Sequence, residues 1–274
     1  MLKYTQNDVT LEGVKIHYYR TGGAKPPFIL LHGATDNGLC WTPIAEWLSA
    51  QYDVIMPDAQ GHGLSARFGP DYSFDAPTDQ VAGLVKELGL KKPLIMGHSM
   101  GAGTTTNVAV KYPSLPRAII LEDPGWMPQE AMDKVDPQRV PPRESLMKVL
   151  AGYQNKTAAE IKAEGHKLNP RWSEAELEPW APAKLQADPT MFSRPLLNPA
   201  GYTELVPKIK CPTLLIISDG GIVPVAAAQN AAKIWKSKQP FKWVLIKGAG
   251  HNIRREQTEA FKEAVSSFLK ALPA

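Results

Sequence analysis

Two periodicities share this chain. Thr10-Leu11 and Val14-Lys15-Ile16-His17-Tyr18-Tyr19 alternate apolar with polar side chains around Glu12-Gly13, which predicts an antiparallel hairpin in the first 20 residues. Beyond it the apolar positions come as short unbroken runs: Phe28-Ile29-Leu30-Leu31, Val54-Ile55-Met56, Leu94-Ile95-Met96, Ala118-Ile119-Ile120-Leu121, Leu214-Leu215-Ile216-Ile217 and Trp243-Val244-Leu245-Ile246. Each run is bounded by Gly, Pro or charge, as expected of strands buried on both faces of a parallel sheet. Between most of them the spacing changes to that of an amphipathic helix, as in Val81, Leu84, Val85 and Leu88 before Gly89, or Phe261, Ala264, Val265 and Phe268 near the end. Strands alternating with helices predict a doubly wound α/β sheet.

One interval breaks the alternation. Pro124 to Ala200 contains no good strand and holds 11 of the 25 prolines, yet it also carries Trp126, Trp172 and Trp180. Those tryptophans and the leucines among them supply apolar surface that a disordered linker lacks. With amphipathic pieces at Glu144 to Leu150 and Ala158 to His166, residues 124–200 read as a helical cap or lid, inserted into a core of residues 1–123 and 201–274.

Composition narrows the class of function. Hydrophobic residues make up 43% and charged residues 21% of 274, ordinary for a soluble globular protein. No apolar stretch approaches the roughly 20 residues that span a bilayer. The first eight residues lack the apolar core of a secretory signal, so a cytoplasmic protein is expected. The net charge of +4 is spread along the chain, with no basic run beyond pairs such as Lys91-Lys92 and Arg254-Arg255, which argues against nucleic acid as a partner. Cys40 and Cys211 suggest neither a disulfide framework nor a metal site and read as buried thiols.

The chemistry concentrates in Gly97-His98-Ser99-Met100-Gly101, which follows the run Pro93-Leu94-Ile95-Met96 and precedes small-residue-rich, helical sequence. A serine at a sharp strand-to-helix turn becomes an exposed nucleophile, and the flanking glycines leave room for neighbouring backbone. The N–H of Met100, in the first helical turn, has no intrahelical partner and can face a developing oxyanion. His251 supplies the base: it lies after the last strand, beyond Lys247-Gly248-Ala249-Gly250, and imidazole titrates near neutrality. Leu31-His32-Gly33-Ala34 at the third strand end offers the N–H of Ala34 as a second oxyanion donor. His98 and His32 read as packing and loop-holding residues, His62 as a brace for the loop Asp58 to Ser65, and His17 as a strand residue. His166 lies in the cap, where a substrate contact competes with a solvated helix face.

As a set, His32-Gly33, the Asp58 to Ser65 loop, Gly97 to Gly101 and Gly248-Ala249-Gly250-His251 resemble the α/β-hydrolase superfamily, over about residues 10 to 123 and 210 to 270. The resemblance implies an eight-stranded, mostly parallel α/β sheet with helices on both faces and a helical cap after the sixth strand. The acid departs from the family pattern. Most members place it after the seventh strand, four residues before a proline; counting back from Pro224 lands on Gly220, leaving Asp219 one residue out of place. Some relatives place it after the sixth strand, where this chain has Asp123, 24 residues after Ser99, beside Glu122. Asp123 and Asp219 are therefore both candidates, with Glu122 an outsider.

These residues predict a serine hydrolase, independent of cofactor and metal, that cleaves a small, partly apolar carboxylic ester or lactone through an acyl-enzyme on Ser99. Trp126, Trp172, Trp180 and His166 are the candidate substrate contacts, and the chain is expected to work as a monomer or homodimer. A carbon-carbon bond hydrolase, an amidase, a perhydrolase or a hydroxynitrile lyase would use the same parts. A small-molecule receptor with slow turnover is the nonenzymatic rival. Haloalkane dehalogenase and epoxide hydrolase chemistry would require an aspartate in place of Ser99.

Overall fold

A computed structural model of the chain describes residues 3–126, 143–193 and 200–273. Eight strands form one sheet: β1 Thr5–Leu11, β2 Val14–Arg20, β3 Pro27–Leu31, β4 Asp53–Pro57, β5 Leu94–His98, β6 Ala118–Glu122, β7 Thr213–Ser218 and β8 Phe241–Ile246. Their order across the sheet is β1-β2-β4-β3-β5-β6-β7-β8. The β1/β2 and β2/β4 pairs are antiparallel, and every other pair is parallel. The hairpin turns on Glu12 and Gly13, both at positive φ (49° and 82°), as a two-residue turn matched to strand twist requires.

Helices cover both faces. Along the central strands alternate residues point to opposite sides. Ile29, Leu31, Ile95, Ile119, Leu121, Leu215 and Ile217 join one buried cluster with α2 (Ala76–Glu87), α3 (Met100–Lys111) and α8 (Val225–Ile234). Phe28, Leu30, Met96, Ile120, Leu214 and Ile216 join the other, with α1 (Thr42–Leu48) and α10 (Thr258–Lys270). Two packed layers explain why these strands read as unbroken apolar runs: each side chain is worth roughly 1.5–3 kcal/mol buried on either face.

Between β6 and β7 the described residues form α4 (Arg143–Tyr153), α5 (Ala158–Leu168) and α6 (Glu174–Gln186), with no strand among them. Thr157 and Glu160 close a reciprocal cap at the start of α5. Pro179 and Pro182 lie inside α6, which nevertheless buries Leu177, Trp180, Ala181 and Ala183. Helix α6 packs against α1 and the Gly38–Trp41 turn, setting the inserted helices on the carboxyl edge of the sheet. The chain returns through α7 (Gly201–Leu205), and the short helix α9 (Ile253–Glu256) precedes α10.

Candidate active site

The register brings the ends of β3, β5, β6 and β7 to one edge, with Leu31 beside Gly97, Gly97 beside Leu121, and Glu122 beside Ile216. Ser99 leaves that edge between β5 and α3 at φ 52° and ψ −114°. Its N–H donates to the carbonyl of Glu122 at 3.0 Å and its carbonyl accepts from Gly103 N–H at 3.0 Å, so the turn is held from both sides. A Cβ on Gly97 would run into the carbonyl of Gly101, and one on Gly101 into that of Leu31. Only glycine fits either position, which is the constraint read from the pentapeptide. Thr35, Ser99 and Asp123 all have positive φ (63°, 52° and 43°), so three of the five such non-glycine residues among the described residues cluster here. Strain of this kind persists only where the surroundings over-determine it.

His251 follows β8 and directs Nδ1 to Oδ2 of Asp123 at 2.7 Å. A carboxylate oxygen accepts, so Nδ1 carries the proton and Nε2 is left as the basic nitrogen. Asp123 is fully buried and takes two more N–H donors, Ile222 at 2.8 Å on Oδ2 and Val223 at 3.0 Å on Oδ1. Asp219 is exposed and accepts instead from Gly248 N–H at 2.8 Å, bracing the turn ahead of His251. Glu122 is also turned away: it accepts from the backbone N–H of Arg254 at 2.9 Å and from its guanidinium at 3.0 Å.

The loop after β3 lies against Ser99. A Cβ on Gly33 would stand 2.6 Å from Nδ1 of His98 and 3.4 Å from Cβ of Ser99. His98 donates from Nε2 to the carbonyl of His251 at 3.0 Å, with the two rings 4.6 Å apart. Burial, with Arg254 and His251 nearby, holds the His98 pKa well below that of ordinary imidazole, so it is a neutral strut between the two loops. His32 accepts from Ala59 N–H at 3.0 Å through Nε2 and donates to the Gly33 carbonyl at 2.8 Å, fixing the Ala34 loop as its position suggested.

Three of the four candidate substrate contacts, Trp126, Trp172 and Trp180, are buried in packing. Trp126 is buried against Tyr202, its Nε1 donating to Thr106 on α3. Trp172 and Trp180 pack edge to face in a buried cluster with Cys40, Ile161 and Leu177. His166 is exposed on α5. Tryptophan content alone could not separate a substrate wall from the packing that seats one layer on another. Ala34, Phe68 and Leu146 pack against a buried cluster of Leu150, Ala187, Met191 and Phe192, an apolar wall beside the candidate oxyanion loop.

A buried charge cluster at the same edge was not legible in the sequence. Lys184 of α6 donates to Asp36 Oδ1 at 2.9 Å and to the carbonyl and hydroxyl of Thr35 at 3.0 and 2.9 Å. Arg255 donates to Asp36 Oδ2 at 2.8 Å and to Glu176 at 3.1 Å. Arg254 and Arg255, a surface-like basic pair in the sequence, are both buried and lie over the rings of Trp41 and Trp172 at 4.1 and 4.5 Å. Burial alone would raise the Asp36 pKa, yet Arg255, Lys184 and Arg254 hold it well below the usual carboxylate range. The cluster ties the loop after β3, the His251 segment and α6 into one body. No group of metal-ligating side chains occurs among the described residues, and no helix among them is long and apolar enough to cross a membrane.

Comparison with known proteins agrees with this architecture. The chain is 26% identical over 260 residues to 2-(acetamidomethylene)succinate hydrolase of Mesorhizobium japonicum, covering 92% of this chain and 91% of the relative. It is 26% identical over 271 residues to N-formylmaleamate deformylase of Pseudomonas putida, covering 96% and 95%. The solved structure of N-formylmaleamic acid deformylase from Pseudomonas putida superposes with a TM-score of 0.77 at 21% identity, over 95% of this chain and all of that one. Residues 28–264 match the model of the alpha/beta hydrolase family, and the chain belongs to that family.

Proposed function

We propose that this hydrolase cleaves a carboxylic ester or lactone of a small, partly apolar substrate through an acyl-enzyme on Ser99. The observation that carries the reading is the 2.7 Å contact between His251 Nδ1 and Asp123, which leaves Nε2 free to act as base beside the strained serine turn. In this mechanism Nε2 takes the Ser99 proton as Oγ attacks the carbonyl carbon. The N–H groups of Ala34 and Met100 hold the oxyanion, while Asp123 orients the imidazole and stabilises its charged form. The protonated His251 then gives its proton to the leaving oxygen, and water activated by the same nitrogen releases the acid. Asp219 serves as a turn brace. Residues 124–200 act as the cap, and the wall of Leu146, Leu150, Met191 and Phe192 supports a partly apolar substrate.

A second reading is an amide bond. Two relatives matching nearly the full chain are named for the hydrolysis of acetamidomethylene succinate and the deformylation of formylmaleamate, both nitrogen-bearing acids. The same residues serve if His251 protonates a leaving nitrogen. The test is a panel of p-nitrophenyl esters, lactones, N-formyl amides and N-acetyl amides on the wild type and Ser99→Ala, with fluorophosphonate labelling of Ser99. Hydrolysis confined to the amides would replace the ester reading, and full activity in Ser99→Ala would end both.

A further inference from the structure

Beside α3 a cleft of about 870 Å3, measured out to the solvent at its mouth, opens between that helix, α2 and the loop after β4. Its walls do not include Ser99 or His251, but it begins at Met100, the proposed oxyanion donor. From there Gly103, Thr104 and Asn107 continue along α3 at the spacing of one helical face. A Cβ on Gly103 would meet nothing within 4 Å, so this face is open where most of α3 is packed. Ile16, Leu31, Val81 and Leu84 contribute apolar walls. Phe68 and Tyr72 add aromatic walls, with ring centroids 4.5 Å apart.

Two wall residues carry buried polar atoms without partners, Nε2 of His62 and Oγ1 of Thr78. Each residue is 1% exposed. Nδ1 of His62 lies 3.1 Å from the carbonyl of Gln60, which can only accept, so Nδ1 holds the proton. Burial, and then His32, push the His62 pKa down to about 3, so the ring is neutral and Nε2 is a bare acceptor. A buried acceptor with no donor carries an uncompensated desolvation cost, which a ligand hydroxyl removes.

We infer that this cleft is a subsite for the acyl side of the substrate, taking an apolar, ring-sized group that carries a hydroxyl. The inference rests on the serine-hydrolase reading, because the group reaches the cleft along α3 from a carbonyl held at Met100. The hydroxyl donates to His62 and exchanges a hydrogen bond with Thr78.

The experiment compares p-nitrophenyl acetate, 3-phenylpropionate and 3-(4-hydroxyphenyl)propionate on the wild type, Gly103→Leu and Thr78→Val. Calorimetry of p-cresol and toluene binding is run on the same proteins. Leucine is a better helix former than glycine, so Gly103→Leu fills the cleft without weakening α3. It is expected to lower the ratio of kcat/KM for the aryl esters over acetate by about tenfold or more and to abolish p-cresol binding. Thr78→Val is expected to lower the preference for the hydroxylated over the plain aryl ester by about fivefold. Unchanged ratios in both variants, or p-cresol binding that survives Gly103→Leu, would overturn the subsite. If the wild type hydrolyses no ester, the ester reading fails by itself. Calorimetry still decides the cleft, since p-cresol bound by wild type and lost in Gly103→Leu supports a ligand site and no wild-type binding refutes it.

Discussion

Oδ2 of Asp123 lies 2.7 Å from Nδ1 of His251, across 128 residues of sequence. The same carboxylate takes the N–H groups of Ile222 and Val223, from the segment that follows Asp219. The loop after β7 therefore contributes backbone donors to an acid that comes from the loop after β6. Asp123→Asn is expected to lower kcat by about ten-thousandfold, since an amide at this place imposes the wrong tautomer on the histidine. Asp219→Asn, which disturbs only a bond to Gly248, keeps most of the activity. Steady-state kinetics on the best substrate of the panel checks both, and the reverse ranking would move the acid to Asp219.

The backbone at Ser99 is held in a conformation that a side chain disfavours. Ser99→Ala keeps the Cβ and the strain, whereas Ser99→Gly removes both. Strain of this type costs about 1–3 kcal/mol, partly offset by the added freedom of an unfolded glycine, so Ser99→Gly is expected to be about 1 kcal/mol more stable than Ser99→Ala. Both are inactive. Urea denaturation of the pair measures the difference, and equal stability would mean that the turn stores no strain.

Lys184 bridges α6 to Thr35 and Asp36, beside the proposed oxyanion donor. Lys184→Met leaves the buried Asp36 carboxylate with two cations in place of three and is expected to cost about 3 kcal/mol of stability. It also lowers kcat, because Thr35 loses the contacts that fix its carbonyl and hydroxyl. The pH dependence follows from the depressed Asp36 pKa. Its stabilisation is complete above the unfolded value near about 4 and is lost as pH falls through the lower folded value. Removing Lys184 raises the folded value, so the acid unfolding midpoint moves up in the variant. A midpoint unchanged from wild type would show that the two arginines suffice.

Both thiols are pushed up to about 12, Cys211 by burial and Cys40 by burial and then Asp36. Neither is expected to react with a thiol-specific disulfide reagent at neutral pH in the native protein, and both react once it is unfolded. Native labelling of Cys40 would mean that the packing of α6 over it opens readily.

Much of this arrangement was legible residue by residue. The six apolar runs and the hairpin fall on the eight strands, because a strand covered on both faces leaves a continuous signal. The pieces read at Glu144 to Leu150 and Ala158 to His166 lie within α4 and α5. Helix α6 had no such signal: its two prolines argue against a helix, and its apolar residues do not gather on one face. Packing against α1 and the cluster around Trp172 and Trp180 is what holds it.

The sequence alone determined the parts that depend on local backbone: a strand ending in Gly97, a serine that only flanking glycines accommodate, and a histidine on a loop after the last strand. It left Asp123 and Asp219 even, because both follow strands at the same edge and composition does not record which way a carboxylate turns. Tertiary structure decided that geometry by bringing the Ile222 and Val223 N–H groups to Asp123 while Gly248 occupies Asp219. It also turned Arg254, Arg255 and Lys184 inward onto Asp36, Glu122 and Glu176. Charges so distant in sequence become partners only when folding removes the water between them.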